Sequence, residues 1–225
     1  MKLVMQENVS LADYCTMRLG GTARYLCTVD SKEALAQAVQ WANGQGLEIL
    51  MLGGGSNVIF GPDGFDGLVI VDKIKGIEMI AEDNQSVTMR VGAGEDWDTF
   101  VARTVKQGLS GIEALSLIPG TVGGTPVQNV GAYGQEVGQT LVLVEAYDGL
   151  AEEFVMLQKS DLDLGYRSSN LKVPISQRRY FIHAVTFKLS KTMTLQRPLY
   201  DALEVYFREN NIQDVTPLTV RDAVI

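Results

Sequence analysis

Residues 119–134 read Pro-Gly-Thr-Val-Gly-Gly-Thr-Pro-Val-Gln-Asn-Val-Gly-Ala-Tyr-Gly, and five of them are glycine. Glycine lacks the Cβ that blocks close approach, so such a loop can bring backbone N–H groups up to a ligand. Rows of N–H groups suit phosphates and other anions. A second loop of this kind, Gly53-Gly54-Gly55-Ser56-Asn57, follows the apolar run Ile49–Leu52. Two such loops, each at a strand end, fit an elongated ligand carrying a diphosphate, such as a dinucleotide. Tight turns are the plainer explanation for either loop alone. Two loops, with Gln128, Asn129 and Tyr133 interleaved, favour a ligand. Neither G-x-G-x-x-G opening a helix nor G-x-x-x-x-G-K-[ST] occurs, which disfavours Rossmann and P-loop sites.

The remaining composition narrows the chemistry. The 225 residues suffice for one large domain or two small ones, with a sizeable core. A net charge of −8 without basic runs argues against a nucleic-acid partner. No apolar stretch reaches the roughly 20 residues of a membrane helix, and Met1–Tyr14 has no secretory h-region, so a cytoplasmic protein is expected. Cys15 and Cys27 fit no metal or redox spacing and are expected as buried thiols. The single His183 lies in an alternating apolar stretch and reads as packed; no metal site can be assembled.

The elements that must position the loops follow from periodicity. Arg24–Val29 is a strand, and Ser31 caps a helix to about Gln45. Glu48–Leu52 and Leu68–Val71 are strands, which completes a β-α-β-loop-β unit near Asp72. Val87–Val91 is a strand, and Asp96 caps a helix to Gln107. Residues 109–140 are mostly loop. Leu141–Tyr147 and Glu153–Leu157 form a hairpin turning at Asp148-Gly149, and Tyr180–Leu189 is a further strand. Asp161–Leu164 reads as one helical turn, and Pro198 opens a helix through Phe207. A capping box at Thr219-Val-Arg-Asp222 starts a helix that has six residues before the sequence ends, as if cut within it.

Four segments carry a resemblance to a known family: Thr16–Gly21, Leu52–Val58, Ile118–Glu136 and Gly165–Lys172. From about Asn8 to the last residue, their order and spacing resemble the UDP-N-acetylenolpyruvoylglucosamine reductases. The resemblance implies an α+β fold of the vanillyl-alcohol-oxidase type, two α/β subdomains (1–72 and 73–215) with FAD between them. Residues 216–225 would begin a third, substrate-binding domain that supplies a protonating Ser and a C-terminal Glu, neither present here. The flavin diphosphate is placed on Gly53, Gly54, Gly55, Ser56 and Asn57. Ser116, Pro119, Gly120, Gly123, Gly124, Gln128, Asn129, Gly131, Ala132, Tyr133 and Ile182 line the rest. His183 is remote in sequence from both loops, so the flavin is expected to be dissociable.

The implied reaction uses NADPH to reduce the FAD, which then reduces the enolpyruvyl ether of a UDP-sugar in peptidoglycan synthesis. Arg167 matches the family arginine that meets the substrate carboxylate, and Tyr166 its neighbour at the substrate. An arginine fork suits a carboxylate and does not deprotonate. Asn170 stands where Phe is common in the family. A non-catalytic flavin-binding module and a different flavin oxidoreductase on the same fold are the competing readings. No oligomeric state follows from the sequence.

Overall fold

A computed structural model describes residues 3–192, 195 and 199–225. Strand β1 (Gln6–Ser10) runs antiparallel to β2 (Thr22–Val29). Helix α1 (Lys32–Gly44) starts at Ser31, whose Oγ accepts the Ala34 N–H at 3.3 Å, and it buries Leu35, Ala38, Val39 and Ala42 at helical spacing. Strands β3 (Ile49–Leu52) and β4 (Phe65–Asp72) follow, giving a sheet ordered β1-β2-β4-β3 with β2, β4 and β3 parallel.

The second unit begins with β5 (Ile77–Glu82), β6 (Ser86–Gly92) and helix α2 (Trp97–Lys106). The Asp96 carboxylate caps α2 by accepting the Thr99 N–H at 2.8 Å. After the long loop come the two-residue strands β7 (Gly131–Ala132) and β8 (Gln135–Glu136), the single turn α3 (Val137–Thr140), β9 (Leu141–Asp148), β10 (Glu153–Gln158) and β11 (Tyr180–Ser190). The large sheet is antiparallel, ordered β10-β9-β11-β6-β5. Trp97, Phe100 and Phe187 stack at its centre, with ring centroids 5.4–6.0 Å apart.

Several expectations shift. The β9–β10 turn is not a two-residue turn at Asp148-Gly149. Asp148 pairs with Glu153, which leaves a loop over 149–152 in which the Asp148 carboxylate accepts the Leu150 and Ala151 N–H groups. The helical turn expected at Asp161–Leu164 lies at Lys159–Leu162, because the Asp161 carboxylate reaches back to the Gln158 N–H at 2.8 Å. Pro198 lies outside the described residues; helix α4 spans Asp201–Glu209.

Helix α5 (Pro217–Val224) is capped by Thr216 rather than Thr219. Thr219 sits at its third position, and the two threonines exchange hydrogen bonds of 2.8 and 3.2 Å. Proline at the first helical position fixes this earlier start, so the helix has eight residues rather than six. Leu203, Phe207, Val215 and Val220 pack together against Ala114, and the Arg221 fork grips Asp98 of α2 at 2.6 and 2.9 Å.

The two sheets share core. Tyr147 of β9 and Phe181 of β11 sit in the apolar cluster under α1 with Leu35, Val39 and Ile70. Gln40 donates to the Tyr147 hydroxyl at 2.9 Å, and Asn43 to the Gly149 carbonyl at 2.8 Å.

Candidate functional site

A cavity of about 540 Å³ opens between the two units, at the C-terminal ends of the parallel strands β3 and β4. Ligands of α/β sheets commonly lie beyond this edge. The first glycine loop leaves β3 there. Backbone crowding explains its three glycines. A Cβ at Gly53 would fall 2.3 Å from Thr121 Oγ1, one at Gly54 3.0 Å from Gly120 Cα, and one at Gly55 2.0 Å from the Tyr14 carbonyl. Gly55 also has φ +65°, where side chains are strained. Its carbonyl accepts the N–H and the hydroxyl of Thr16, each at 3.1 Å, so the Thr16–Gly21 segment buttresses this loop. Among the described residues, the backbone N–H groups of Gly54, Gly55, Ser56 and Asn57 meet no protein acceptor.

The second loop is fastened to the β6–α2 turn. Trp97 donates its backbone N–H to the Gly120 carbonyl, Val122 to Glu95 and Gly123 to Ala93. Gly124 and Thr125 bond within the loop, so the N–H groups of 122–125 are all used. Gly124 differs from the glycines of the first loop. A Cβ there would meet no atom within 4 Å, although the residue lines the cavity. Two side-chain clasps join the loops: Ser56 Oγ donates to the Pro119 carbonyl at 3.0 Å, and Asn57 Nδ2 to Gln128 Oε1 at 3.2 Å.

The cavity wall therefore gathers Gly53, Gly54, Gly55, Ser56, Asn57, Pro119, Gly120, Gly123, Gly124, Gln128 and Ile182. The other expected residues stand elsewhere. Ser116 is buried, donating to the Glu113 carbonyl and accepting from Arg221. Asn129 is buried too, bonded to Glu136, the Gly165 carbonyl and the Gly138 N–H. Gly131 and Ala132 form β7, and Tyr133 packs edge-on to Tyr200. Arg167, at φ +53°, donates to the Gly131 carbonyl at 2.5 Å and lies 5.4 Å from the ring of Tyr166, which is 82% exposed. Asn170 lines the cavity, and its side-chain amide donates to the Asp161 carbonyl.

Sequence reasoning did not single out Asp72, Trp97, Lys172, Arg178 or Phe181, which also line the cavity. Asp72 is 3% exposed, its Oδ1 accepts the Ile74 N–H, and burial pushes its carboxyl up to about 7. A lone carboxylate closing an apolar strand was its only signal. His183 is buried edge-on against Phe154, and burial pushes its imidazole down to about 4. Among the described residues, neither His nor Cys lines the cavity and no cluster could hold a metal. Cys15 and Cys27 are free and buried, and burial pushes the Cys27 thiol up to about 12. No helix of the described residues is long and apolar enough to cross a membrane.

A cavity of about 540 Å³ with a free row of N–H groups and an unobstructed glycine suits a flavin dinucleotide. The family profile of FAD-binding domains matches residues 23–150, more than half of the chain. This chain belongs to the FAD-binding domain family. The chain is 43% identical over 220 residues to a UDP-N-acetylenolpyruvoylglucosamine reductase of Thermobifida fusca, covering 97% of this chain and 61% of that relative. It is 39% identical over 224 residues to the reductase of Amoebophilus asiaticus, 98% of this chain and 64% of the relative. It therefore spans under two thirds of the length of these curated relatives. The crystal structure of the Thermus caldophilus reductase matches with a TM-score of 0.69 at 26% identity, covering 100% of this chain and 68% of that one. Cholesterol oxidase of B. sterolicum matches with a TM-score of 0.58 at 14% identity, over 84% of this chain and 37% of that one, a likeness of fold alone. The α+β, vanillyl-alcohol-oxidase-type architecture is thus shown.

Proposed function

We propose that the chain is the FAD-holding part of a UDP-N-acetylenolpyruvoylglucosamine reductase, a cytoplasmic enzyme that uses NADPH to make UDP-N-acetylmuramate for peptidoglycan. The observation that carries the flavin half is the row of unpartnered N–H groups from Gly54 to Asn57 on the cavity wall. The resemblance of the chain to reductases of that name carries the substrate half. The residues after 215 then lead toward the substrate-binding part of the relatives' length.

Bound FAD would supply the two-electron carrier. The chain's own residues hold, orient and shield. Gly54–Asn57 would offer the diphosphate four N–H donors, and the apolar Trp97, Phe181 and Ile182 of the wall would help exclude water from the bound cofactor. As the enolpyruvyl double bond is reduced, negative charge gathers on the substrate carboxylate. A fixed cation there lowers the barrier. Arg167 is tethered through one nitrogen to the Gly131 carbonyl, which leaves further N–H donors of its fork for that carboxylate. Tyr166, exposed beside Arg167, would meet the substrate there.

With neither His nor Cys on the described wall, the flavin is held without a covalent bond, and acid precipitation should release the colour into the supernatant. Colour kept in the pellet would refute that point. The activity is tested anaerobically on a polypeptide of the relatives' full length that contains this chain. NADPH should bleach the flavin, and the enolpyruvyl UDP-sugar should restore its colour. A flavin that reoxidises only with oxygen or a free sugar would defeat the reductase reading in favour of an oxidase.

A further inference from the structure

Among the described residues, three cationic side chains line the cavity: Lys172, Arg178 and Arg179. Two are engaged. Lys172 donates its ammonium to the Arg167 carbonyl at 3.0 Å. Arg179 pairs with the buried Asp148 carboxylate at 2.5 Å. Arg178 has no hydrogen bond, ion pair or ring contact from its side chain. It is nonetheless partly buried. An unpaired, desolvated guanidinium is a costly arrangement unless an anion completes it.

Its position says which anion. Arg178 closes the short helical turn Ile175–Gln177, and its N–H donates to the Ile175 carbonyl. Ile175 packs on the cluster that holds Leu50 and Leu52, so this turn lies against β3. Strand β3 runs directly into Gly53–Asn57, where the free N–H row begins. The turn that carries Arg178 and the loop that carries the free N–H groups thus border one cavity, and among its described cations Arg178 is the one whose side chain has no partner, Arg179 being paired with Asp148.

We infer that Arg178 is the counter-ion of the flavin diphosphate, completing with its fork the cradle that the first glycine loop provides through its backbone. The inference rests on the FAD reading. Burial also holds this guanidinium below its ordinary value, as expected of a cation lacking a partner. A diphosphate bonded to the fork would offset the cost of that desolvation, and a planar fork can meet two phosphate oxygens at once.

The test is FAD affinity of the apoprotein by quenching of flavin fluorescence, across a salt series, for the wild type, Arg178→Gln and Arg178→Lys. One charge-assisted contact commonly contributes enough to shift affinity about 10- to 100-fold. Arg178→Gln should weaken FAD by that factor and flatten the salt dependence. Arg178→Lys should recover part of the affinity and keep the salt slope. Unchanged affinity in Arg178→Gln, or weakening with the wild-type salt slope, would overturn the inference while leaving FAD binding standing. A folded wild type that takes up no FAD would instead overturn the FAD reading, and this inference with it. If Arg178→Gln fails to fold, Arg178→Lys decides, since loss of the fork alone should weaken FAD severalfold; wild-type affinity there would count against the role.

Discussion

The two glycine loops look alike as text and differ as objects. In the first, the chain itself demands glycine at Gly53, Gly54 and Gly55, because a Cβ would strike Thr121, Gly120 or Tyr14. Its N–H groups from Gly54 to Asn57 remain free. In the second, packing demands glycine at Gly123 as well, where a Cβ would fall 2.6 Å from that of Ala93, but the N–H groups of 122–125 are spent on the protein and a Cβ at Gly124 would meet no neighbour. The loops differ in their N–H groups, free in the first and used at 122–125 in the second, and in the open space at Gly124. Glycine content thus reports two needs, crowding by the protein and vacancy for a ligand, which the surroundings of each Cβ separate.

The division can be broken at several points. The largest effect is expected away from flavin anchorage. In a polypeptide of the relatives' length, Arg167→Lys should lower turnover by roughly two to three orders of magnitude, the usual cost of one well-placed electrostatic donor. Its FAD affinity should stay within about twofold. Steady-state rates and a flavin titration check both, and equal losses in the two would merge chemistry with anchorage. Next, Gly55→Ala should cost about 2–4 kcal/mol in urea unfolding, from a left-handed backbone and a Cβ 2.0 Å from the Tyr14 carbonyl. Wild-type stability would deny that the first loop is fixed by packing. Gly124→Val should unfold like the wild type yet bind FAD about 10- to 100-fold more weakly. A stability loss without an affinity loss would invert the assignment of the loops.

The smallest effect concerns pH. Burial raises the Asp72 carboxyl from 3.8 to about 7, so the folded state holds a proton that the unfolded state has lost. Its effect favours folding most below the unfolded value and declines as pH rises toward 7. Asp72→Asn, which still accepts the Ile74 N–H, should therefore unfold like the wild type near pH 4. Near pH 8 it should be the more stable of the two. Burial lowers the His183 imidazole and tilts stability the other way between 6.5 and about 4, but both proteins share it, so their difference isolates Asp72. A difference independent of pH would contradict this cause.

Much of the frame was legible because it obeys local rules. Ser31 and Asp96 cap their helices as their positions suggested, and Leu141–Asp148 and Tyr180–Ser190 alternate or run apolar as strands should. The edge strands β1 and β5 escaped. Gln6–Ser10 is polar, and the outer residues of Ile77–Glu82 face solvent, so neither carries a core-facing pattern strong enough to read. At the site, the glycine loops announced themselves by composition. Arg178 did not, because its meaning lies in what fails to pair with it, and pairing is settled by the meeting of β3 with the turn at 175–177. Thr216 was overlooked as a cap because Thr219 offered the familiar spacing, while Pro217 set the start two residues into the motif's shadow.

Helix α1 binds the two units from behind. Leu35 and Val39 share one apolar cluster with Tyr147 and Phe181, and Gln40 and Asn43 bond across to β9 and the loop after it. With core and hydrogen bonds common to both sheets, neither unit can melt without exposing part of the other. The polypeptide is then one cooperative folding unit, with its two loops joined through Ser56–Pro119 and Asn57–Gln128. A cofactor that binds between units so joined would stabilise the whole molecule through mass action, raising a single melting transition rather than rescuing one half.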